Sequence, residues 1–285
     1  MPELPEVEIL VRHLAPVLKN KTIRRIQVRR AKVIAPTPER HLVQALQGAT
    51  FKALVRRGKY LLFTLRPARR REPLLLVGHL GMTGRMFLLP QKAVLPKHAA
   101  VVLNLGRYNL IYEDTRYFGR FTLDTSSLSR LGPEPFGPEF TVEYLAAALK
   151  RSAQPIKIKL LDQALVAGVG NIYASEALFR AGISPRLAAK RLKLVQVKRL
   201  LHAIQAVLGE AIEDGSTIPL DFAGTGRRDG LFYYGSAGGG SDFYQERLRV
   251  YDHHGRPCSE CGTPIRRLFQ AARSTFYCPN CQQGA

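Results

Sequence analysis

Hydrophobic positions follow two different periods along the chain, and the change between them divides it. Val7, Leu10, Val11 and Leu14 fall at helical spacing near the start, with Pro5 suited to a first helical turn. Short β-branched and aromatic runs follow at Thr22–Val28, Thr50–Val55, Tyr60–Leu65, Leu74–Val77, Ala99–Leu105 and Leu110–Tyr112. Turns rich in Gly, Pro and Arg separate these runs, a pattern that predicts an antiparallel sandwich or barrel. Residues 130–138, dense in Pro and Gly, read as a linker. Beyond them the period becomes helical, over Val142–Arg151, Ile156–Val166, Ile172–Ala181 and a long basic stretch from Lys190 to Ile212. A glycine-rich stretch from Gly215 to Ser241 predicts a mobile loop, and the last forty residues form a small cysteine-bearing module.

Charge changes this picture from a generic two-domain protein to one with a polyanionic partner. Over 285 residues, 43 Lys and Arg stand against 22 Asp and Glu, a net charge of +21. The excess favours nucleic acid over a membrane surface. It is spread through pairs such as Arg24-Arg25, Arg56-Arg57, Lys190-Arg191 and Arg266-Arg267, so no single basic tail accounts for it. No run approaches the ~18 apolar residues of a membrane span. The first twenty residues carry glutamates and no basic n-region, so they do not read as a signal peptide. The expectation is a soluble intracellular protein.

Three groups of residues carry chemistry. The four cysteines, Cys258, Cys261, Cys278 and Cys281, form two CxxC knuckles, which supply the tetrahedral thiolates of one structural zinc ion. A redox dithiol is the alternative use of such a pair. The stretch from Gln163 to Glu176 reads as a helix, a tight Gly168-Val169-Gly170 turn and a second helix capped by Asn171, an arrangement suited to a phosphate. At the N-terminus, loss of Met1 would leave Pro2 with a free secondary amine. An α-amino group titrates near ~7.7–8.0, so part of it is an uncharged nucleophile at neutral pH. Glu3 beside it is a carboxylate able to move protons. Lys59 opens an apolar strand, while Met82, Arg116 and Phe118 sit in Gly-bearing turns. Apolar tips of that kind are either core or wedges that unstack a duplex, with an arginine filling the gap.

Together these residues resemble the bacterial formamidopyrimidine-DNA glycosylases. Met1–Glu8, Arg57–Leu62, His79–Gly84, Arg116–Gly119, Gly168–Glu176 and Cys258–Cys281 match in that order across nearly the whole chain. The resemblance implies an α+β multidomain fold: an N-terminal β-sandwich with an N-terminal helix, a helix–two-turn–helix domain and a C-terminal zinc finger. The implied bounds are 1–132 for the first domain, 133–140 for the linker, 141–240 for the second domain with a lesion-capping loop near 215–241, and 242–285 for the finger. It also implies a monomeric, cytoplasmic repair enzyme acting on double-stranded DNA that holds an oxidised purine or an abasic site. Pro2 is then the nucleophile, Glu3 the acid/base, Lys59 an aid to elimination and Glu6 a carboxylate lining the same site. Met82, Arg116 and Phe118 fill the void left by the flipped base. His79, His98, Lys157, Asn171 and Arg273 contact the DNA backbone, and Arg273 also serves the second elimination.

One region departs from the family pattern. From Ser216 to Gln245 the chain is longer and richer in glycine than expected, and a lysine expected near Pro219 is absent, which bears on base preference. Two rivals stand beside the main reading. One is the sister endonuclease VIII group, which prefers oxidised pyrimidines; the other is a zinc-ribbon DNA-binding protein without catalysis.

Overall fold

The computed structural model describes residues 2–68, 71–216 and 248–283. Most of the glycine-rich loop, with Pro219 and the departure around it, lies outside these residues, as does Arg69-Arg70. The described residues divide into two compact units, 2–129 with 214–216 and 130–213 with 248–283.

The first unit opens with α1 (Leu4–Leu18), whose buried face of Leu4, Val7, Leu10, Leu14 and Leu18 follows the expected spacing. Two four-stranded antiparallel sheets follow. One has the order β1 (Arg25–Val28), β6 (Ala99–Asn104), β7 (Tyr108–Asp114), β5 (Gly84–Pro90). The other runs β2 (Thr50–Arg57), β3 (Tyr60–Arg66), β4 (Leu74–His79), β8 (Arg120–Thr122). Leu54, Leu61 and Phe63 from the second sheet share one core with Met86, Val101 and Leu110 from the first and with Leu10 and Leu14 of α1. This is the sandwich that the alternating runs predict.

Two elements of this unit lie where no strand or helix was expected. β5 buries Met86, Phe87, Leu88 and Leu89 in succession, because its outer face is covered by a second small cluster with Leu89, Val102 and Ile111. A strand buried on both faces loses the period-2 signal. α2 (Glu39–Leu46) buries only Leu42 and Leu46, too few positions to show a period.

The second unit is helical: α3 (Val142–Lys150), α4 (Ile156–Leu160), α5 (Asn171–Arg180) and α6 (Leu194–Ser216), then the hairpin β9 (Arg266–Gln270) and β10 (Arg273–Tyr277). Thr141 caps α3 by accepting the Tyr144 N–H at 3.2 Å. The helix expected over 156–166 stops at Leu160. Asp162 accepts the Ala164 N–H at 3.0 Å and turns the chain, and the Gln163 side chain spans the next turn to Gly168 N–H and Val169 carbonyl. Among the described residues no helix is long and apolar enough to cross a membrane.

Candidate active site and nucleic-acid interface

Glu3 is the N-cap of α1 in extended conformation, and it forms a reciprocal capping box with Glu6, whose Oε2 accepts the Glu3 N–H at 2.7 Å. Pro2 is half-buried and Glu3 is 1% exposed, so this acidic helix start faces inward. Lys59 follows Gly58, which has φ +55°, in the tight turn between β2 and β3. It is 8% exposed, where a surface lysine is the ordinary expectation for a basic hairpin.

His79 ends β4, with its ring 4.7 Å from that of Tyr60 across the strand pair. The Gly81 N–H donates to its Nδ1 at 3.1 Å, which leaves Nε2 as the protonated nitrogen of a neutral ring. Burial, followed by the positive charges of Lys59 and Arg120, holds this imidazole down to about 4, against a weaker upward pull from Asp114. His79 is therefore neutral near pH 7 and is a fixed hydrogen-bond donor rather than a cation.

Met82 and Phe118 are 41% and 48% exposed, so neither belongs to the core. Their turns are locked together beneath the tips. Gly81 has φ +61°, and a Cβ there would come within 2.6 Å of the Gly119 nitrogen; a Cβ at Gly119 would run into the Tyr112 hydroxyl. Asp114, fully buried, accepts from Thr83 Oγ1 at 2.6 Å and Arg116 N–H at 3.1 Å through Oδ1, and from Gly119 N–H at 2.8 Å through Oδ2. Its own N–H donates to the His98 carbonyl. Burial raises the Tyr112 phenol, which donates to the His79 carbonyl at 3.1 Å. Arg116 lies over the Phe118 ring at 4.7 Å, and Lys32 approaches the same ring at 5.4 Å. His98 is drawn toward the loop through Tyr117, 3.4 Å from Nδ1 to the phenol. Sequence reasoning read this segment as a glycine turn and passed over Asp114. The available signal was an aspartate two residues before Arg116 and five before Gly119, the spacing of a side chain that bonds nearby backbone.

In the second unit, the turn before α5 has Gly168 at φ +94° and Gly170 as the N-cap. Asn171 is the first helical residue and not the cap. Its Nδ2 donates to the Ser274 carbonyl at 3.0 Å, and its buried Oδ1 has no hydrogen-bond partner among the described residues. Lys157 is fully buried, donating to Ser175 Oγ at 2.8 Å, Thr275 Oγ1 at 3.2 Å and the Ser274 carbonyl at 3.3 Å. Asn171 and Lys157 thus converge on β10 beside the exposed Arg273. The turn that presents Arg273 places Ala271 and Ala272 at φ +46° and +57°, a strained two-residue hairpin connection.

Glu176 is a second residue that sequence reasoning passed over. Its carboxylate accepts the backbone N–H groups of Arg249, Val250 and Tyr251 at 2.8–3.0 Å, while burial pushes its pKa up. A lone glutamate within Ala174–Phe179, otherwise apolar after Ser175, was the signal.

The four cysteine Sγ atoms lie within 4.8 Å of one another, and none is in a disulfide. Cys258 to Cys281 is 3.9 Å and Cys261 to Cys278 is 3.5 Å. Zn–S bonds of ~2.3 Å put tetrahedral sulfurs about 3.8 Å apart, so the set fits one structural zinc ion. Phe179, Val250, Ile265 and Phe276 pack around the buried Cys258 and Cys278.

Comparison with known proteins agrees with this arrangement. Residues 1–121 match the formamidopyrimidine-DNA glycosylase N-terminal domain, 131–221 its H2TH domain, and 255–284 the zinc finger found in FPG and IleRS. The formamidopyrimidine-DNA glycosylase of Desulfitobacterium hafniense is 41% identical over 99% of this chain and 100% of its own. That of a Synechococcus species is 43% identical over 99% of each. Among solved structures, a complex of the Lactococcus lactis protein with abasic-site DNA aligns with a TM-score of 0.85 at 31% identity, covering 99% of this chain and 100% of that one. A structure of MutM with DNA containing carbocyclic 8-oxo-G aligns equally well at the same identity and coverage. By sequence over its full length, by its domain order and by its fold, the chain belongs to the formamidopyrimidine-DNA glycosylase family.

Proposed function

We propose that the chain removes oxidised purines, chiefly 8-oxoguanine opposite cytosine and ring-opened formamidopyrimidines, and then cuts the strand at the abasic site through a Schiff base on Pro2. As a member of its family it is a DNA-formamidopyrimidine glycosylase with abasic-site lyase activity, and it works on double-stranded DNA. The observation that carries the finer reading is in the first unit. Two exposed apolar tips, Met82 and Phe118, stand on one Asp114-tied platform, in the same unit that holds the inward-facing Pro2-Glu3 start of α1.

A base inside a duplex is out of reach, so flipping, at a cost of about a few kcal/mol, comes first. Met82 and Phe118 fill the gap and Arg116 probes the opposite base. With Met1 removed, the Pro2 nitrogen attacks C1′, and the glycosidic electron pair leaves with the base, which takes a proton. Glu3 protonates O4′ as the sugar ring opens, and the nitrogen lone pair completes the iminium. Loss of a C2′ proton expels the 3′ phosphate, and a second elimination expels the 5′ phosphate, leaving a one-nucleotide gap flanked by phosphates. Lys59 assists the first elimination and Arg273 the second, with Glu6 lining the pocket. Neutral His79, with His98 and Asn171, contacts the backbone. A buried ammonium reaches a phosphate only through the groups it orders, so Lys157 acts by holding Ser274 and its strand.

The domain bounds follow the same reading: a catalytic domain over 1–132, the helix–two-turn–helix domain over 141–240 and the finger over 242–285. Cys258, Cys261, Cys278 and Cys281 hold the zinc ion, which cross-links the finger and supplies folding free energy. The net charge of +21 gives salt-sensitive sliding on undamaged duplex.

Borohydride trapping on an 8-oxoguanine:cytosine duplex, with mass spectrometry of the N-terminal peptide, tests the proposal. A covalent adduct on Pro2 is expected. Binding without an adduct would refute the Schiff-base step, and faster cleavage of a thymine-glycol duplex would move the chain to the oxidised-pyrimidine specificity.

A further inference from the structure

Glu8 takes no part in the mechanism above, yet it lies on the helix that Glu3 caps and bonds to Arg56, three residues before Lys59. It lies five residues after Glu3 on α1, about 7.5 Å up the helix axis. One carboxylate oxygen accepts from Arg12 Nε at 2.9 Å, an i,i+4 pair whose arginine is 50% exposed. The other accepts from Arg56 Nε at 2.9 Å, across to the end of β2, and here the arginine is only 11% exposed. Arg56 then donates through Nη1 to the Gly58 carbonyl at 3.3 Å. Gly58 is the left-handed residue of the β2–β3 turn, and Lys59 is the next residue.

We propose that Glu8 and Arg56 form a tether that sets the Lys59 turn in register with the N-terminal end of α1. Glu8 is thus a positioning residue for the amine chemistry assigned above, and the inference rests on that assignment. The two halves of the carboxylate's bonding differ in kind. The Arg12 half is a solvated helix pair, and such pairs contribute little. The Arg56 half joins two elements, is largely shielded, and continues into the turn backbone. Arginine suits this task because its fork engages a carboxylate and a carbonyl together, which a lysine point charge does not. Without the tether the hydrophobic contacts still pack α1 on the sheet, but the run of bonds from Glu8 through Arg56 to the Gly58 carbonyl is broken. Small misplacements of a reacting pair have large kinetic consequences.

The test compares Glu8→Gln, Arg56→Lys and Arg12→Ala in the full-length, zinc-loaded protein. The readouts are single-turnover borohydride trapping on an abasic duplex, Kd for a duplex bearing a stable tetrahydrofuran abasic analogue, and melting temperature. Glu8→Gln and Arg56→Lys should each slow trapping about tenfold while Kd stays within about twofold, a loss in rate and not in binding. Arg12→Ala should match the unaltered protein in all three. Trapping by Glu8→Gln at the unaltered rate overturns the tether alone. So does a loss that Arg12→Ala shares, or one that Kd follows equally. If the unaltered protein binds but never traps, the amine mechanism falls and the tether falls with it.

Discussion

Asp114 and Lys157 are both fully buried charged residues, one in each unit, and they organise their surroundings in opposite ways. Asp114 collects donors from within a short reach: Thr83 Oγ1 and the N–H groups of Arg116 and Gly119, two of the three within five residues of itself. Lys157 gives its protons to acceptors 18, 117 and 118 positions away, on α5 and β10. The anion shapes a loop, and the cation joins elements distant in sequence. The first arrangement needs only its own turns in place; the second exists only when the zinc-bearing hairpin is docked on the helices.

Removing the metal is the hardest blow to this contrast. Cys258→Ala should lose zinc and unfold residues 248–283, since apparent binding free energies for structural zinc reach about 10–16 kcal/mol in finger peptides. Hydrogen exchange should then show Ser274 and Thr275 unprotected while the Gly119 amide keeps its protection. Exchange at both would erase the distinction between a local and a distant hub. Next in size is Lys157→Met, which leaves three buried acceptors short of a donor and should cost about 3 kcal/mol in chemical denaturation. An unchanged midpoint would show that the ammonium is not holding β10.

Asp114→Asn keeps the shape but turns one acceptor into a donor facing another donor, a loss of about 1–3 kcal/mol. Its larger consequence should be in discrimination: affinity for undamaged duplex held by charge, and affinity for lesion duplex reduced toward it. The smallest effect concerns His79. The unfolded imidazole takes up a proton below pH 6.5, whereas the folded ring refuses it until about pH 4. Stability should therefore fall as the pH drops through this window and level off below it. Discounted for partial exposure, the change is about 1–2 kcal/mol. His79→Gln should flatten that part of an acid titration; an unchanged slope would mean the ring is protonated in the folded state.

The same contrast explains what the sequence disclosed. Elements with one buried face showed themselves by period, as α1 and β3 did, and the cysteine knuckles by spacing. β5 did not, because both its faces are covered, and α2 did not, because it buries two side chains. The first-unit site was legible where glycine and arginine crowd one turn, although Asp114 itself carries no assignment in the sequence reading. The second-unit site was less so. Asn171 was expected to cap its own helix, and instead its amide reaches Ser274, a partner 103 residues away that no local spacing could announce. Lys157, which the resemblance gives as a DNA-backbone contact, is buried with its ammonium on Ser175, Ser274 and Thr275, partners that no local spacing could announce.

The contact between Gly81 and the Phe118-Gly119 backbone has a consequence for anyone who would redesign this protein. The grip beneath the wedges tolerates no added atom, while the wedges themselves stand clear of it. Met82 and Phe118 are therefore like interchangeable bits in a fixed chuck. Libraries that vary the two tips and leave Gly81, Asp114 and Gly119 alone can search new lesion preferences without drawing down the stability of the scaffold that holds them.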